Sequence, residues 1–297
     1  METVVLIPCY NEEQTIAKVA QDFKEALPRA RIVVFDNNST DNSAQMAARA
    51  GIEVISITRK GKGYLVGRMF ELIDADIYVM VDGDDTYFAK DAAKLIEPVV
   101  AGRADMAVGS RVPVSKKAMK VINRFGNMFF SRIMGMFFRV PLCDTLSGYR
   151  VFNREFVKNV PVMSFEFEVE AELTLQALSR GMRIEEIPVD YKERPDGSVS
   201  KLKVFKDGYM VLSTVIALFR DLRPLTFFSW LAVVIWLGCA VYGMYVYYAL
   251  RVANIFDAII LTSFFIIGWL MLFLGFSLHV INRRFAESLS LYRKSVK

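Results

Sequence analysis

The stretch "VDGDDTY", residues 81–87, sets Asp82, Asp84 and Asp85 within four positions at the end of the apolar run "DIYVMVD". Two like charges ~4 Å apart cost each other about 4 kcal/mol at an effective dielectric near 20, so such a cluster calls for a cation. An EF-hand is excluded: its loop needs Gly at the sixth position and Glu at the twelfth, where Tyr87 and Ala93 stand. What fits is a divalent metal that arrives with a phosphorylated ligand. Mg2+ and Mn2+ take one or two protein carboxylates and complete their shell with phosphate oxygens and water. Other phosphate devices are missing. No Gly-x-Gly-x-x-Gly follows the first strand, and "RKGKGYL" (59–65) lacks both the spacing and the Lys-Ser/Thr ending of a P-loop.

These carboxylates need a frame that delivers them to one edge. Over the first 110 residues, short β-rich runs alternate with helical patterns. Strands are expected at 3–8, 31–36, 53–58, 76–82 and 105–110, and helices at 12–26, 42–50, 62–73 and 89–101. Nearly continuous apolar strands separated by helices predict an α/β fold whose parallel sheet is covered on both faces. In such open sheets the ligand site lies outside the carboxyl ends of the strands. Pro8, Asp36, Asp82 and Ser110 all fall there. Asp36 has a second reading as a helix N-cap, since "DNNSTD" is also good capping chemistry.

Seven blocks, in order, carry a resemblance. "IPCYNEE" (7–13), "DNNSTDNS" (36–43), "GKG" (61–63), "VDGDDTY" (81–87), "GSR" (109–111), "DTLSGYRVF" (144–152) and "EIPVDYKERPDGSVSKL" (186–202) resemble those of family 2 glycosyltransferases with a GT-A fold. Within that family the chain looks most similar to the polyprenyl-phosphate glycosyltransferases. The resemblance implies a Rossmann-like, mostly parallel catalytic domain that binds a nucleotide sugar. Pro8, Tyr10 and Glu12 would line the base pocket, and Asp36 would bind base or ribose. Asp82 and Gly83 would face ribose and diphosphate, and Asp84, with Asp82 beside it, would hold Mg2+ or Mn2+. Some dolichol enzymes carry Gln two residues after the second Asp. Thr86 stands there, which leaves the third ligand to Asp85 or water.

The implied reaction is inverting transfer of a sugar to a polyprenyl phosphate. A UDP-sugar is favoured over GDP-mannose because the layout of two spans resembles bactoprenol glucosyltransferases. A lipid phosphate is already an anionic nucleophile at neutral pH, so the chemistry asks for cations that orient two anions rather than for a strong base. The resemblance puts Arg111, Arg124 and Arg194 on that phosphate, with Lys201 a weaker candidate. Arg132 and Arg139 are left as interface cations. A carboxylate from "SFEFEVEAEL" (164–173) belongs near such a site, and the choice among Glu166, Glu168, Glu170 and Glu172 stays open. His279 reads as an interface residue rather than a base.

At 297 residues, with 54% hydrophobic content and a mean hydropathy of +0.30, the chain is apolar for a purely soluble protein. The excess is local. Residues 225–250 and 258–278 hold no charge, and each stretch can cross a bilayer as a helix, for which about 20 apolar residues suffice. "RVANIFD" between them suits a tight turn. Arg220 and Arg223 precede the pair and Arg283, Arg284, Arg293, Lys294 and Lys297 follow it, whereas Arg251 in the turn is offset by Asp257. The positive-inside rule then keeps both ends cytoplasmic. "METVVLIPCYNEE" has no basic n-region and does not read as a signal peptide.

Residues 115–139 carry six basic residues and no acidic one among Phe and Met, which suits an interfacial helix. The expected organisation is a catalytic domain at 1–202, an amphipathic juxtamembrane helix at 203–222, a hairpin at 225–280 (spans 225–250 and 258–280), and a basic tail at 281–297. The net charge of +5 points to anionic lipid rather than nucleic acid, because many basic residues flank the spans. Cys9, Cys143 and Cys239 show no disulfide or metal spacing and fit a reducing compartment. A processive polysaccharide synthase would carry a Gln-x-x-Arg-Trp block, which is missing here. A non-catalytic nucleotide-sugar-binding scaffold would not need the Asp82/Asp84 pair together with the arginines. A homo-oligomer is left open.

Overall fold

The computed structural model describes residues 1–115, 121–138, 140–195, 204–250 and 254–295. The chain divides into two compact units, Met1–Val215 and Ile216–Lys297.

The first unit is built on a seven-stranded sheet of order β3-β2-β1-β4-β6-β5-β7. β1 (Thr3–Cys9), β2 (Arg31–Asp36), β3 (Glu53–Ser56) and β4 (Ile77–Met80) run parallel. They are joined by α1 (Ile16–Ala26), α2 (Ser43–Arg49) and α3 (Lys62–Leu72). The chain steps from β1 outward to β3, then returns to the other side of β1 for β4. This reversal opens a crevice at the carboxyl ends of β1 and β4, the place where such sheets bind ligands. β5 (Met106–Pro113) pairs in parallel with β7 (Ile184–Tyr191), and β6 (Arg150–Asn153) lies between β4 and β5, antiparallel to both.

Both faces of the sheet are covered. Val5, Ile7 and Val79 pack with Phe23 of α1 and Leu95 of α4 (Ala92–Val100), while Leu6, Tyr78 and Met80 pack with Leu65 and Met69 of α3 on the other side. Truncating one such side chain to Ala costs about 2–5 kcal/mol. Asn153 caps α6 (Arg154–Asn159), its side chain accepting from the Phe156 amide at 2.7 Å. α7 (Val169–Ser179) is buried over nearly its whole length, Glu170, Glu172 and Thr174 included.

Several elements differ from the sequence expectation. β4 stops at Met80, so Asp82 lies in the turn beyond it, and β3 stops at Ser56. α1 begins only at Ile16, because the Glu12 carbonyl accepts from the amides of Thr15 and Ile16 and closes a turn first. The fourth helix starts as a 3-10 turn at Ala89–Asp91. Within 115–139 the described helix is α5 (Val121–Phe138). It buries Phe130, Met134 and Phe138 and exposes Phe125, Met128, Phe129 and Met136. Arg139, Lys201, Arg251 and Lys297 lie outside the described residues.

α8 (Val204–Leu222) contains the division between the units. In the second unit, α9 (Pro224–Tyr245) ends in a π-helical turn, Val246–Leu250, and is followed by α10 (Ile255–Ser295). Pro224 sits at the first turn of α9, where its missing N–H costs nothing. α10 opens with a reciprocal cap: Asp257 accepts from the Asn254 amide at 3.1 Å, and Asn254 accepts from the Asp257 amide at 3.0 Å. Tyr242 donates to Asp257 at 2.8 Å, and Trp236 donates to the Phe265 carbonyl at 3.2 Å. Pro224–Tyr248 and Ile255–Ser288 are long and apolar enough to cross a membrane. α10 continues past the expected end of its span near 280, since no Gly or Pro occurs from 276 to 295 to break it.

Candidate active site

Residues of the loops after β1 and β2 are stitched together at the carboxyl edge. The Asn11 amide donates to Ser39 Oγ at 2.9 Å, the Thr40 amide to Asn11 Oδ1 at 2.7 Å, and the Glu12 amide to Ser43 Oγ at 2.7 Å. The non-glycine residues with positive φ among those described are Asn11, Asn38 and Asp85, all in loops of this edge. Asn and Asp tolerate that left-handed conformation better than other side chains. Beside Asp36 opens a cleft of about 260 Å³, lined also by Asn38, Ser39, Gln45, Ser56 and Thr58. Asp36 is not the N-cap of α2; Asn42 stands there. Its Oδ2 accepts from the Ser39 amide at 3.3 Å, while its buried Oδ1 has no hydrogen-bond partner. A buried acceptor without a donor is costly unless a ligand supplies one. Pro8, Tyr10 and Glu12 do not line this cleft. Lys60 donates to the Tyr10 hydroxyl at 2.9 Å, and Glu12 faces Arg194.

The turn after β4 carries the acidic cluster. Thr15 of the α1 entry donates to the Gly83 carbonyl at 2.7 Å, and a Cβ on Gly83 would approach Ile16 Cδ1 to 3.1 Å. The three carboxylates have different partners. Asp82 Oδ1 accepts from Lys62 Nζ at 2.6 Å, and Asp82 Oδ2 lies so close to Gly148 that an added Cβ there would come within 2.2 Å of it. Asp84 Oδ1 accepts from the Thr86 hydroxyl at 2.6 Å, and its Oδ2 is ion-paired with Arg194 Nη2. Asp85 turns away to Lys18 at 3.0 Å and Lys192 at 2.6 Å.

Electrostatics separate the first two. Burial works to raise Asp82, yet Lys62, with Arg194 and Arg111 behind it, brings its carboxyl below the usual range. Burial and then the Asp82 charge push Asp84 up, against Arg194 and Thr86.

One member of this group, Lys62, escaped the sequence reading, and another, Glu170, stood there as one of four glutamates. Lys62, in the first turn of α3, also ion-pairs with Glu170 Oε1 at 2.5 Å. That contact brings Glu170, one of the four glutamates, to the acidic group. Glu172 instead accepts from the amides of Met163 and Ser164, and Glu168 from those of Phe165 and Glu166. Gly61 and Gly63 let this segment close in, since a Cβ on either would lie 2.3 Å from the Phe165 or Ser164 carbonyl oxygen. The signal that could have found Lys62 is its place in a helix's first turn, where a cation opposes the dipole.

The arginines separate. Arg111, on β5, is clasped by Asp144, with Nε to Oδ2 at 2.7 Å and Nη2 to Oδ1 at 2.8 Å. Arg194, beyond β7, bridges Asp84 and Glu12, its Nη1 3.8 Å from Glu12 Oε1. Arg124 and Arg132 are exposed on α5, and among the described contacts Arg124 makes none to the acidic group. His279 is exposed on α10.

Among the described residues no three metal-ligating side chains converge. The donor set is the hard oxygens of Asp84 and Asp82, with Asp85 taken by its two lysines. That set fits Mg2+ or Mn2+ completed by phosphate and water, and does not fit a metal caged by protein alone.

The family model for glycosyl transferase family 2 matches residues 4–160. Glycosyltransferase AglJ of Haloferax volcanii is 31% identical over 298 residues, covering 99% of this chain and 95% of that protein. The dolichyl-phosphate hexose transferase of the same organism is 28% identical over 215 residues, 72% of this chain and 92% of that protein. Among solved structures, Mycobacterium tuberculosis glucosyl-3-phosphoglycerate synthase with Mn2+, UDP and glucosyl-3-phosphoglycerate superposes with a TM-score of 0.60 at 21% identity. The match covers 73% of this chain and 79% of that one, and shows the shared GT-A fold.

Proposed function

The chain belongs to glycosyltransferase family 2, and from that premise we propose that it transfers a hexose from a nucleotide diphosphate sugar to a polyprenyl phosphate, with inversion at the anomeric carbon. The observation that carries this reading is the presence, in one chain, of the Asp82–Asp84 edge and of two helices apolar enough to cross a membrane. An acceptor that lives in the bilayer needs an enzyme held there. The name of the dolichyl-phosphate hexose transferase supports the same acceptor class.

Residues 1–202 form the catalytic part, 203–222 the juxtamembrane helix, 225–280 the hairpin and 281–297 the basic tail, with both ends cytoplasmic. The Asp36 cleft takes the base or ribose, its free Oδ1 accepting one N–H or O–H. A divalent cation, Mg2+ or Mn2+, held by Asp84 beside Asp82 would neutralise the leaving diphosphate. Arg111 and Arg194, with Arg124 from α5, orient the acceptor phosphate, whose oxygen attacks the anomeric carbon as the carbon–diphosphate bond breaks. That oxygen is already ionised, so no side chain has to take a proton. The arginines act by holding two anions within about 3–3.5 Å of reaction. A UDP-sugar is the favoured donor, with GDP-mannose the alternative.

Purified protein incubated with farnesyl phosphate, Mn2+ and labelled UDP-glucose, UDP-galactose or GDP-mannose tests the reading. A labelled, organic-extractable product from one UDP-sugar is expected. Release of free sugar alone, or a growing polysaccharide, would overturn it.

A further inference from the structure

Lys62 is an odd choice for its position. It begins α3, where the helix dipole disfavours a cation, and its amine is drawn in between two carboxylates, Asp82 at 2.6 Å and Glu170 at 2.5 Å. Burial opposes its charge, and the two carboxylates restore it. Stability alone explains this poorly, because buried ion pairs are often matched or bettered by apolar side chains of similar size.

The other oxygen of Asp82 is confined as well, by the backbone of Gly148. The loop carrying Gly148 is fastened by Arg150, which is fully buried. Arg150 donates to the carbonyls of Ser147 at 2.8 Å and Thr145 at 2.7 Å, and to the Thr174 hydroxyl at 2.9 Å. Glu170 and Thr174 sit one turn apart on α7. A single buried helix thus fixes both walls around Asp82, one through Lys62 and the other through Arg150.

We propose that Lys62 and Glu170 are positioning residues that lock Asp82 in one rotamer as a donor-hydroxyl acceptor, leaving Asp84 as the carboxylate that exchanges partners with the metal. Two carboxylates on one lysine keep the group net negative, so Asp82 retains accepting power toward a ribose hydroxyl. This rests on the nucleotide-sugar reading above.

The test is calorimetry of Mn2+ and of UDP, with 2′-deoxy- and 3′-deoxy-UDP as probes of hydroxyl recognition, on wild type, Lys62→Met, Lys62→Arg and the double variant Lys62→Met/Glu170→Gln. The double variant removes the second stranded carboxylate, so a fold lost in the single variant can be recovered. Wild type is expected to prefer UDP to at least one deoxy analogue by about tenfold. Lys62→Met and the double variant should lose that preference without weakening Mn2+ binding, and Lys62→Arg should recover part of it. Unchanged discrimination in a folded Lys62→Met or double variant overturns the inference alone. So does a loss of Mn2+ affinity equal to the loss of UDP affinity. Wild-type protein that binds neither UDP nor GDP in the presence of Mn2+ removes the donor reading itself.

Discussion

Arg194 sits on Asp84: its Nη2 is ion-paired with Oδ2, and the opposite oxygen of Asp84 is already taken by Thr86 at 2.6 Å. A cation that binds Asp84 through Oδ2 therefore competes with a guanidinium. Once displaced, Arg194 has its fork free for another anion, and arginine suits phosphate because two N–H groups match two oxygens.

The first prediction follows from that competition. Arg194→Ala should tighten Mn2+ binding in the absence of substrates by about five- to tenfold, within the usual range of coupling between sites. Turnover should fall strongly in the same variant. Asp84→Ala should abolish both. Mn2+ titration followed by electron paramagnetic resonance reads the affinity directly, and weaker Mn2+ binding in Arg194→Ala would refute the competition.

Gly148 offers a different probe. An alanine there would place its Cβ 2.2 Å from Asp82 Oδ2, so the carboxylate must rotate off Lys62. Gly148→Ala should cut kcat/KM by about a hundredfold, equivalent to roughly 2.7 kcal/mol. Gly181→Ala, where a Cβ meets nothing within 4 Å but φ is +69°, should leave kcat/KM close to wild type and lower only thermal stability. Steady-state kinetics beside thermal melts separate the two.

Asp36 gives a stability and function trade-off. Its buried Oδ1 has no donor, so Asp36→Asn removes an unsatisfied charge and should hold or raise the melting temperature. Nucleotide affinity should fall about tenfold, or 1.4 kcal/mol, because the ligand loses its ionised acceptor. A lower melting temperature with unchanged nucleotide binding would mean that Asp36 serves the loop and not the ligand.

Topology is testable in cells. In a cysteine-free background, Phe256→Cys at the exposed start of α10 should react with an impermeant maleimide from outside, and Ser288→Cys should react only after the membrane is opened. The reverse pattern would move the sugar donor to the wrong side of the membrane for this reading.

What could be read from the sequence depended on range. β1, β2 and β4 are nearly pure apolar runs, Asp36 closes β2, and Asp82 and Asp84 follow β4, so pattern and chemistry agreed there. β6 hid because it is four residues long and opens on Arg150, a residue that reads as surface and is wholly buried. β7 hid because the adjacent Glu185 and Glu186 put a carboxylate on each face and break the alternation, and Glu186 is used to accept from the amides of Cys143 and Asp144. Glu170 could not be picked from its neighbours, since only tertiary packing gives one of four glutamates a lysine 108 positions earlier in the chain. Local periodicity carries no such information.

The left-handed backbone of Asn11, Asn38 and Asp85 has a kinetic consequence. Their loops hold this conformation through contacts made on folding, such as Asn11 to Ser39 and Thr40, and Asp85 to Lys18 and Lys192. A rim shaped in advance does not have to wait for a loop to order itself when the nucleotide arrives. Its association should then follow a single exponential whose rate rises linearly with nucleotide concentration, with no plateau from a slow closing step.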